Sequence, residues 1–206
     1  MTSGAIIAGG SGRRMGADKR GLLIDDVPML RRTALAVRSV TDELLVACRR
    51  DAPPDPEILA GLDARLVFDR VEDGGPLAGV EAALAASGGE LVLVVAGDLP
   101  WVEPAVLRLL LDVAGERPEA AAVALGTEWG PEPLLAVYRR RSLPAVTRLL
   151  DAGTRRMTAL LEALGSVEVG PETWKRRDPG GRSARNVNTP LDLDEARAGE
   201  PPATRS

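Results

Sequence analysis

The sequence predicts an α/β fold: a three-layer α/β/α sandwich around a Rossmann-like, mostly parallel sheet. Three observations predict it. Short apolar runs alternate with segments of helical length along the chain. The run at residues 91–96, LVLVVA, is apolar on both faces, as a central strand of a parallel sheet covered by helices must be. The glycine-rich and carboxylate-bearing stretches fall directly after strand-like runs, at the sheet edge where open parallel sheets bind ligands.

Residues 4–8 read as a short buried strand ending at Gly9-Gly10. Residues 29–40 carry Leu30, Ala34 and Val37 at helical spacing. Residues 43–48 form the next strand, and Pro53, Pro54 and Pro56 break the chain before a short helix at 57–62. A third strand at 65–68 precedes an alanine-rich helix at 77–86, stopped by Gly88-Gly89. After the 91–96 strand, Pro104 opens a helix over 104–113. The second half reads as strands at 120–125 and 134–138, helices at 142–150 and 157–164, and a short strand at 167–169. The charged, Gly-rich stretch 174–185 is expected to be a mobile loop, and 191–198 a closing helix. One domain over 1–198 is expected, with 199–206 as a disordered tail.

Composition removes several function classes. The chain has 206 residues, enough for one sizeable core. Aromatic residues are 2%, too few to build stacking platforms for single-stranded nucleic acid. A net charge of −4 with interleaved signs argues against duplex binding, so no nucleic-acid partner is expected. Without histidine, and with Cys48 as the one cysteine, an intrachain disulfide, a Ser-His-Asp triad and most zinc sites are excluded. No run reaches the ~18 consecutive apolar residues of a membrane span. The N-terminus is read as the mature start of a cytoplasmic protein. Arginine outnumbers lysine 24 to 2, which makes Lys19 and Lys175 conspicuous.

Four motifs carry chemistry. AGGSGRRMGADK, residues 8–19, has glycines that let backbone N–H groups approach phosphate oxygens, and Arg14 and Lys19 add positive charge. It fits neither a Walker loop nor the dinucleotide fingerprint; composition alone would equally allow a glycine-rich turn with solvated arginines. GDLP, residues 97–100, sets Asp98 after the most apolar strand, as a Mg²⁺ carboxylate or as a turn cap before Pro100. GGPLAGV, residues 74–80, follows Asp69, which could accept from a base or ribose or be a solvated acid. NVNTPLD, residues 186–192, offers the Asn188 side-chain oxygen to a metal, with Thr189 placed to cap a helix.

In this order on this architecture, the motifs resemble the molybdenum cofactor guanylyltransferase family. AGGSGRRMGADK, DRVEDGGPLAG, GDLP, GTRRM (residues 153–157) and NVNTP carry the resemblance, which spans about residues 4–198. It implies the nucleotide-diphospho-sugar transferase type of sheet. It implies that Ile7, Ala8 and Gly9 line the guanosine site and that Gly10, Ser11, Gly12, Arg13, Arg14, Met15 and Gly16 wrap the phosphates. Lys19 and Arg14 would act on the reacting phosphates, Lys19 stabilising charge at the α-phosphorus. Asp69 and Gly79 would complete the nucleotide site, and Asp98 would hold Mg²⁺ with help from Asn188. The pterin substrate would lie toward Arg155, Arg156, Asn186 and Asn188. Two departures bear on selectivity: Cys48 or its neighbour stands where the family often has Asn, and Glu132-Pro133 stands where it often has His-Pro.

The implied reaction joins the terminal phosphate of Mo-molybdopterin to the α-phosphate of GTP and releases pyrophosphate, with Mg²⁺ as cofactor. The acceptor phosphate is the nucleophile, so no histidine is required. Docking to molybdenum insertion proteins or molybdoenzymes is implied by the resemblance. The rivals are a molybdopterin cytidylyltransferase, a sugar-phosphate enzyme, and a non-catalytic nucleotide-binding adaptor. Ala8-Gly9-Gly10, where cytidylyltransferase relatives tend to carry Ala-Ala-Gly, favours guanine.

Overall fold

A computed structural model describes residues 1–9, 18–188 and 192. Its central feature is a seven-stranded sheet. In chain order the elements are β1 (Thr2–Ile7), a small hairpin of β2 (Leu23–Ile24) and β3 (Val27–Pro28), α1 (Met29–Arg38), β4 (Glu43–Cys48), β5 (Ala64–Phe68) and α2 (Gly75–Ala86). There follow β6 (Leu91–Ala96), α3 (Pro104–Glu116), β7 (Ala122–Thr127), β8 (Gly130–Arg139), α4 (Leu143–Asp151), α5 (Met157–Leu164), β9 (Val167–Val169) and α6 (Pro171–Trp174).

The sheet order is β5-β4-β1-β6-β8-β7-β9. β5, β4, β1 and β6 are mutually parallel, and β8 runs against both β6 and β7. Successive strands leave β1 first toward β4 and β5, then toward β6 on its other side. The strand order therefore reverses at β1, and the crevice at that switch point lies beyond Ile7 and Ala96, which are register partners.

Strand alternation sorts the core into two layers. Ile6, Val46 and Val95 pack under Leu30, Ala34 and Val37 of α1 and Val106 and Leu110 of α3. Their chain neighbours Ile7, Ala47 and Val94 face Leu77 and Val80 of α2, Val146 of α4 and Leu160 of α5. Helices on both faces make the sandwich that the patterning predicts. The α2 face is rich in alanine, and Gly79 lies there: a Cβ on it would meet Ile7 Cγ2 at 3.1 Å and Ala47 Cβ at 3.5 Å. Gly79 thus sits in a helix pressed against the sheet, a packing position behind the crevice rather than an exposed loop.

One element is added to the expected ones, and one reading is corrected. The β2–β3 hairpin has no apolar period long enough to announce it; its turn is made by Asp25 and Asp26, both at positive φ (50° and 61°). Such a pair of left-handed residues gives the turn that suits a two-residue hairpin. The 174–185 stretch, expected as a mobile loop, is packed: Trp174, Asp178 and Ser183 are buried. The indole Nε1 of Trp174 donates to the Gly126 carbonyl at 2.8 Å, and Glu103 N donates to Ser183 Oγ at 3.1 Å. The closing helix expected at 191–198 and the tail at 199–206 lie outside the described residues, Asp192 excepted.

Candidate active site

The carboxyl edge of the sheet continues one residue past its strands. Ala8 N donates to the Ala47 carbonyl (2.8 Å), Gly97 N to the Ile7 carbonyl (3.0 Å), and Asp69 N to the Cys48 carbonyl (3.2 Å). These bonds hold Ala8, Gly97 and Asp69 level with one another, at the roots of three motif loops. Gly97 is needed here, because a Cβ would stand 3.3 Å from the Ile7 carbonyl oxygen and from Leu30 Cδ1.

The chain then leaves the sheet at Asp98. Its backbone carbonyl accepts from Val187 N (3.0 Å), which brings the NVN segment across the end of β6. Its carboxylate does not cap the turn. Asp98 Oδ2 instead receives the Lys19 ammonium at 2.6 Å, and the same ammonium donates to Asn188 Oδ1 at 3.2 Å. Lys19 and Asp98 are mostly buried side chains. Residues from three distant stretches therefore meet at one point. Asn188 N donates in turn to Asp192 Oδ2 at 2.9 Å, which fixes the residue's backbone.

Arg20 holds Lys19 in place, and sequence reasoning did not single it out. It is buried and forms a bidentate pair with Asp18. It also donates to the Ala8 carbonyl (3.5 Å), the Ala52 carbonyl (2.8 Å) and the Pro53 carbonyl (3.3 Å). One guanidinium thus ties the exit of the glycine loop to the end of β1 and to the loop after β4. Hydrogen bonding to Arg20 holds the Asp18 carboxyl below the usual carboxylate range. The only sequence signal was adjacency to Lys19.

On the other side of Ala8, Asp69 and Gly9 face each other; a Cβ on Gly9 would lie 3.9 Å from Asp69 Oδ2. Among the described residues, Asp69 Oδ1 is buried with no hydrogen-bond partner. Burial pushes this carboxyl up, opposed by the charge of Arg49. A buried acceptor left without a donor is costly, and in a crevice it marks a place for a ligand's N–H or O–H.

Glu132 is a further acid at the edge. It stands on β8, the strand paired with β6. Its carboxyl is pushed up by burial and by the Asp98 charge, against a 3.0 Å hydrogen bond from Leu134 N.

The remaining candidates divide. Ile7 and Ala8 are buried at the crevice root, and Gly9 is exposed. Asn186 is exposed beside Val187. Arg155 is spent on backbone carbonyls of Asp73, Leu150 and Thr154, which joins the 153–157 loop to the DGG loop rather than to Asn188. Arg156 is exposed at the start of α5. Gly10, Ser11, Gly12, Arg13, Arg14, Met15 and Gly16 lie outside the described residues, as does Thr189.

Asp98 and Asn188 are hard oxygen donors already bracketing a cation, which fits Mg²⁺ held by one or two protein groups plus substrate phosphates. Among the described residues, no group of three or more His, Cys, Asp or Glu could form an all-protein cage.

The profile of the MobA-like NTP transferase domain matches residues 4–167. The chain belongs to that family. Its relatives include the probable molybdenum cofactor guanylyltransferase of Chloroflexus aggregans, 38% identical over 94% of this chain and 92% of that protein. The molybdenum cofactor guanylyltransferase of Desulfosudis oleivorans is 30% identical over 95% of this chain and 94% of its own length. Among solved structures, molybdopterin-guanine dinucleotide biosynthesis protein A from Archaeoglobus fulgidus superposes with a TM-score of 0.78 at 29% identity, covering 95% and 97% of the two chains. The chain is thus a nucleotidyltransferase by family, with the sheet that its sequence pattern predicts.

Proposed function

We propose that this protein is a molybdenum cofactor guanylyltransferase, transferring GMP from GTP to the terminal phosphate of Mo-molybdopterin to give the molybdopterin guanine dinucleotide cofactor. The observation that carries the reading is the convergence of Lys19, Asp98 and Asn188 at the switch point of the sheet. It occurs in a chain aligned over nearly its whole length with relatives that bear that name.

In the reaction, an oxygen of the acceptor phosphate attacks the α-phosphorus in line. A new P–O bond forms as the bond to the β-phosphate breaks, and pyrophosphate carries away the electron pair. The protein's part is positioning and charge neutralisation. Lys19 supplies a cation to the reacting phosphates, together with Arg14 from the glycine loop. Asp69 accepts from the nucleoside through its unpartnered Oδ1. Ile7, Ala8 and Gly9 form the floor beneath it. Asp98 and Asn188 would hold Mg²⁺, which when bound supplies further neutralisation of phosphate charge. The acceptor lies toward Asn186 and Asn188, with Arg155 and Arg156 on the opposing loop. The product is handed to molybdoenzymes or their insertion proteins. A lone, buried Cys48 suits the reducing cytoplasm in which we place the reaction.

Thermal-shift measurements with GTP, CTP, ATP and UTP in the presence of Mg²⁺ test the base. GTP is expected to raise Tm most, and a preference for CTP would overturn guanine. Pyrophosphate release dependent on both GTP and molybdopterin separates an enzyme from a nucleotide-binding adaptor, which would bind GTP and release none.

A further inference from the structure

The Lys19 ammonium sits where a metal shared by Asp98 and Asn188 would have to sit. It donates to Asp98 Oδ2 at 2.6 Å and to Asn188 Oδ1 at 3.2 Å, on the same two residues the proposed function assigns to Mg²⁺. A divalent ion needs those lone pairs at about 2.0–2.1 Å. An ammonium that already points at both competes with it for them and repels it.

We propose that Lys19 is the cation that Asp98 and Asn188 hold before nucleotide binds, so that the metal enters only as the triphosphate draws Lys19 away. The inference rests on the reading of Asp98 and Asn188 as metal ligands. Two features support it. Arg20 anchors the backbone at 18–20 through the carbonyls of Ala8, Ala52 and Pro53, so Lys19 can move its long side chain without moving the turn. Asp98 Oδ2 meets the ammonium at 2.6 Å on a mostly buried side chain, so a seat vacated by Lys19 would leave a sheltered carboxylate without a cation. Metal and nucleotide binding are then coupled, and by linkage each tightens the other by the same factor. The enzyme without nucleotide stays a poor metal binder, and Lys19 reaches the phosphates as the metal takes its place.

The test reads Mn²⁺ binding to the intact protein by electron paramagnetic resonance of the free ion, without nucleotide and then with GTP. Lys19→Met is expected to bind Mn²⁺ alone on the order of tenfold more tightly than wild type, because the competing cation is gone. Lys19→Arg keeps the seat filled and stays near wild type. Arg32→Met removes a charge from the neighbouring Pro100 carbonyl without vacating the seat, and should change Mn²⁺ affinity less than about twofold. Equal Mn²⁺ affinity in wild type and Lys19→Met overturns the proposal, as does equal tightening by Arg32→Met. If wild type takes up no Mn²⁺ beyond that held by free GTP, the metal reading itself fails and the proposal with it. Circular dichroism melts confirm that each variant is folded.

Discussion

The two segments that meet at Asp98 are anchored in opposite ways. Residues 18–22 are pinned by a buried cation, Arg20, whose charge is matched by Asp18 and whose spare N–H groups go to backbone carbonyls. Residues 174–188 are pinned by a buried anion, Asp178, which accepts from Ser183 N at 2.6 Å, and by the Trp174 indole. In both, an ionic side chain bonded to backbone replaces an apolar anchor. Lys19 stands next to its anchor Arg20, whereas Asn188 lies ten residues beyond Asp178 and is brought to the site by the bond from Val187 N to the Asp98 carbonyl. The pairing of Asp18 with Arg20 also leaves the Lys19 ammonium as the charge available to Asp98. The lesson is that a charged loop can be as rigid as a helix if one of its ions is buried and fully bonded.

The largest effect is expected where the segments meet. Lys19→Ala and Asp98→Ala should each reduce turnover by at least about a hundredfold to a thousandfold, the scale seen when one charge-stabilising group is removed. Both should melt within a few degrees of wild type, since these side chains are bonded to each other and not to the core. Near-wild-type rates of dinucleotide formation in either variant would remove the mechanism.

The anchors should behave differently from the residues they present. Arg20→Ala leaves three carbonyls without their donor and Asp18 without its partner, and is expected to cost about 2–4 kcal/mol of stability. Asp178→Ala removes one acceptor from a buried backbone N–H and is expected to cost about 1–3 kcal/mol. Denaturant melts measure both. Activity distinguishes the segments: Arg20→Ala should impair the GTP-dependent step through Lys19, whereas Asp178→Ala should act through Asn188 and its neighbours, raising the KM for the acceptor. Equal losses in both substrates would show that the two anchors do not serve separate parts of the site.

Much of this architecture was legible in the sequence because apolar period carries it. β4, β6, α5 and β9 occupy the spans their patterning predicts. Asp98, just past the β6 strand, and Asn188, just before the expected cap Thr189, are two motif residues that the fold brings to one ammonium. The packed 174–185 segment was not legible, because its composition is that of a solvated loop; only the fold shows that Asp178 and Ser183 are buried. Arg20 was hidden for the same reason, its partners being backbone carbonyls that no side-chain pattern encodes. Arg155 carries a bond that the motif alone does not announce, joining its loop to the Asp73 carbonyl. Glu132 drew notice only as a departure from the family's usual pair. Its place near Asp98 depends on β8 pairing with β6, which local pattern does not specify.

The smallest expected effect separates the two kinds of acid at the site by pH. Asp18 has a lowered carboxyl in the folded chain, so the stability it contributes is present above its unfolded value and is lost as pH falls through the folded one. Glu132 has a raised carboxyl, from burial first and the Asp98 charge after it. Its contribution is therefore present below its unfolded value, about 4.3, and is lost as pH rises through the folded value. Glu132→Gln keeps an oxygen for the Leu134 N–H and removes the charge. Its stability relative to wild type should increase as pH is raised from about 4 to 7, with Tm moving about 2–4 °C for each kcal/mol in a domain of this size. Asp18→Asn should move the other way, losing stability relative to wild type over the rise in pH through the carboxylate range. If Glu132→Gln tracked wild type at every pH, the Glu132 carboxyl would be unshifted by folding, and neither its burial nor the Asp98 charge would be felt there.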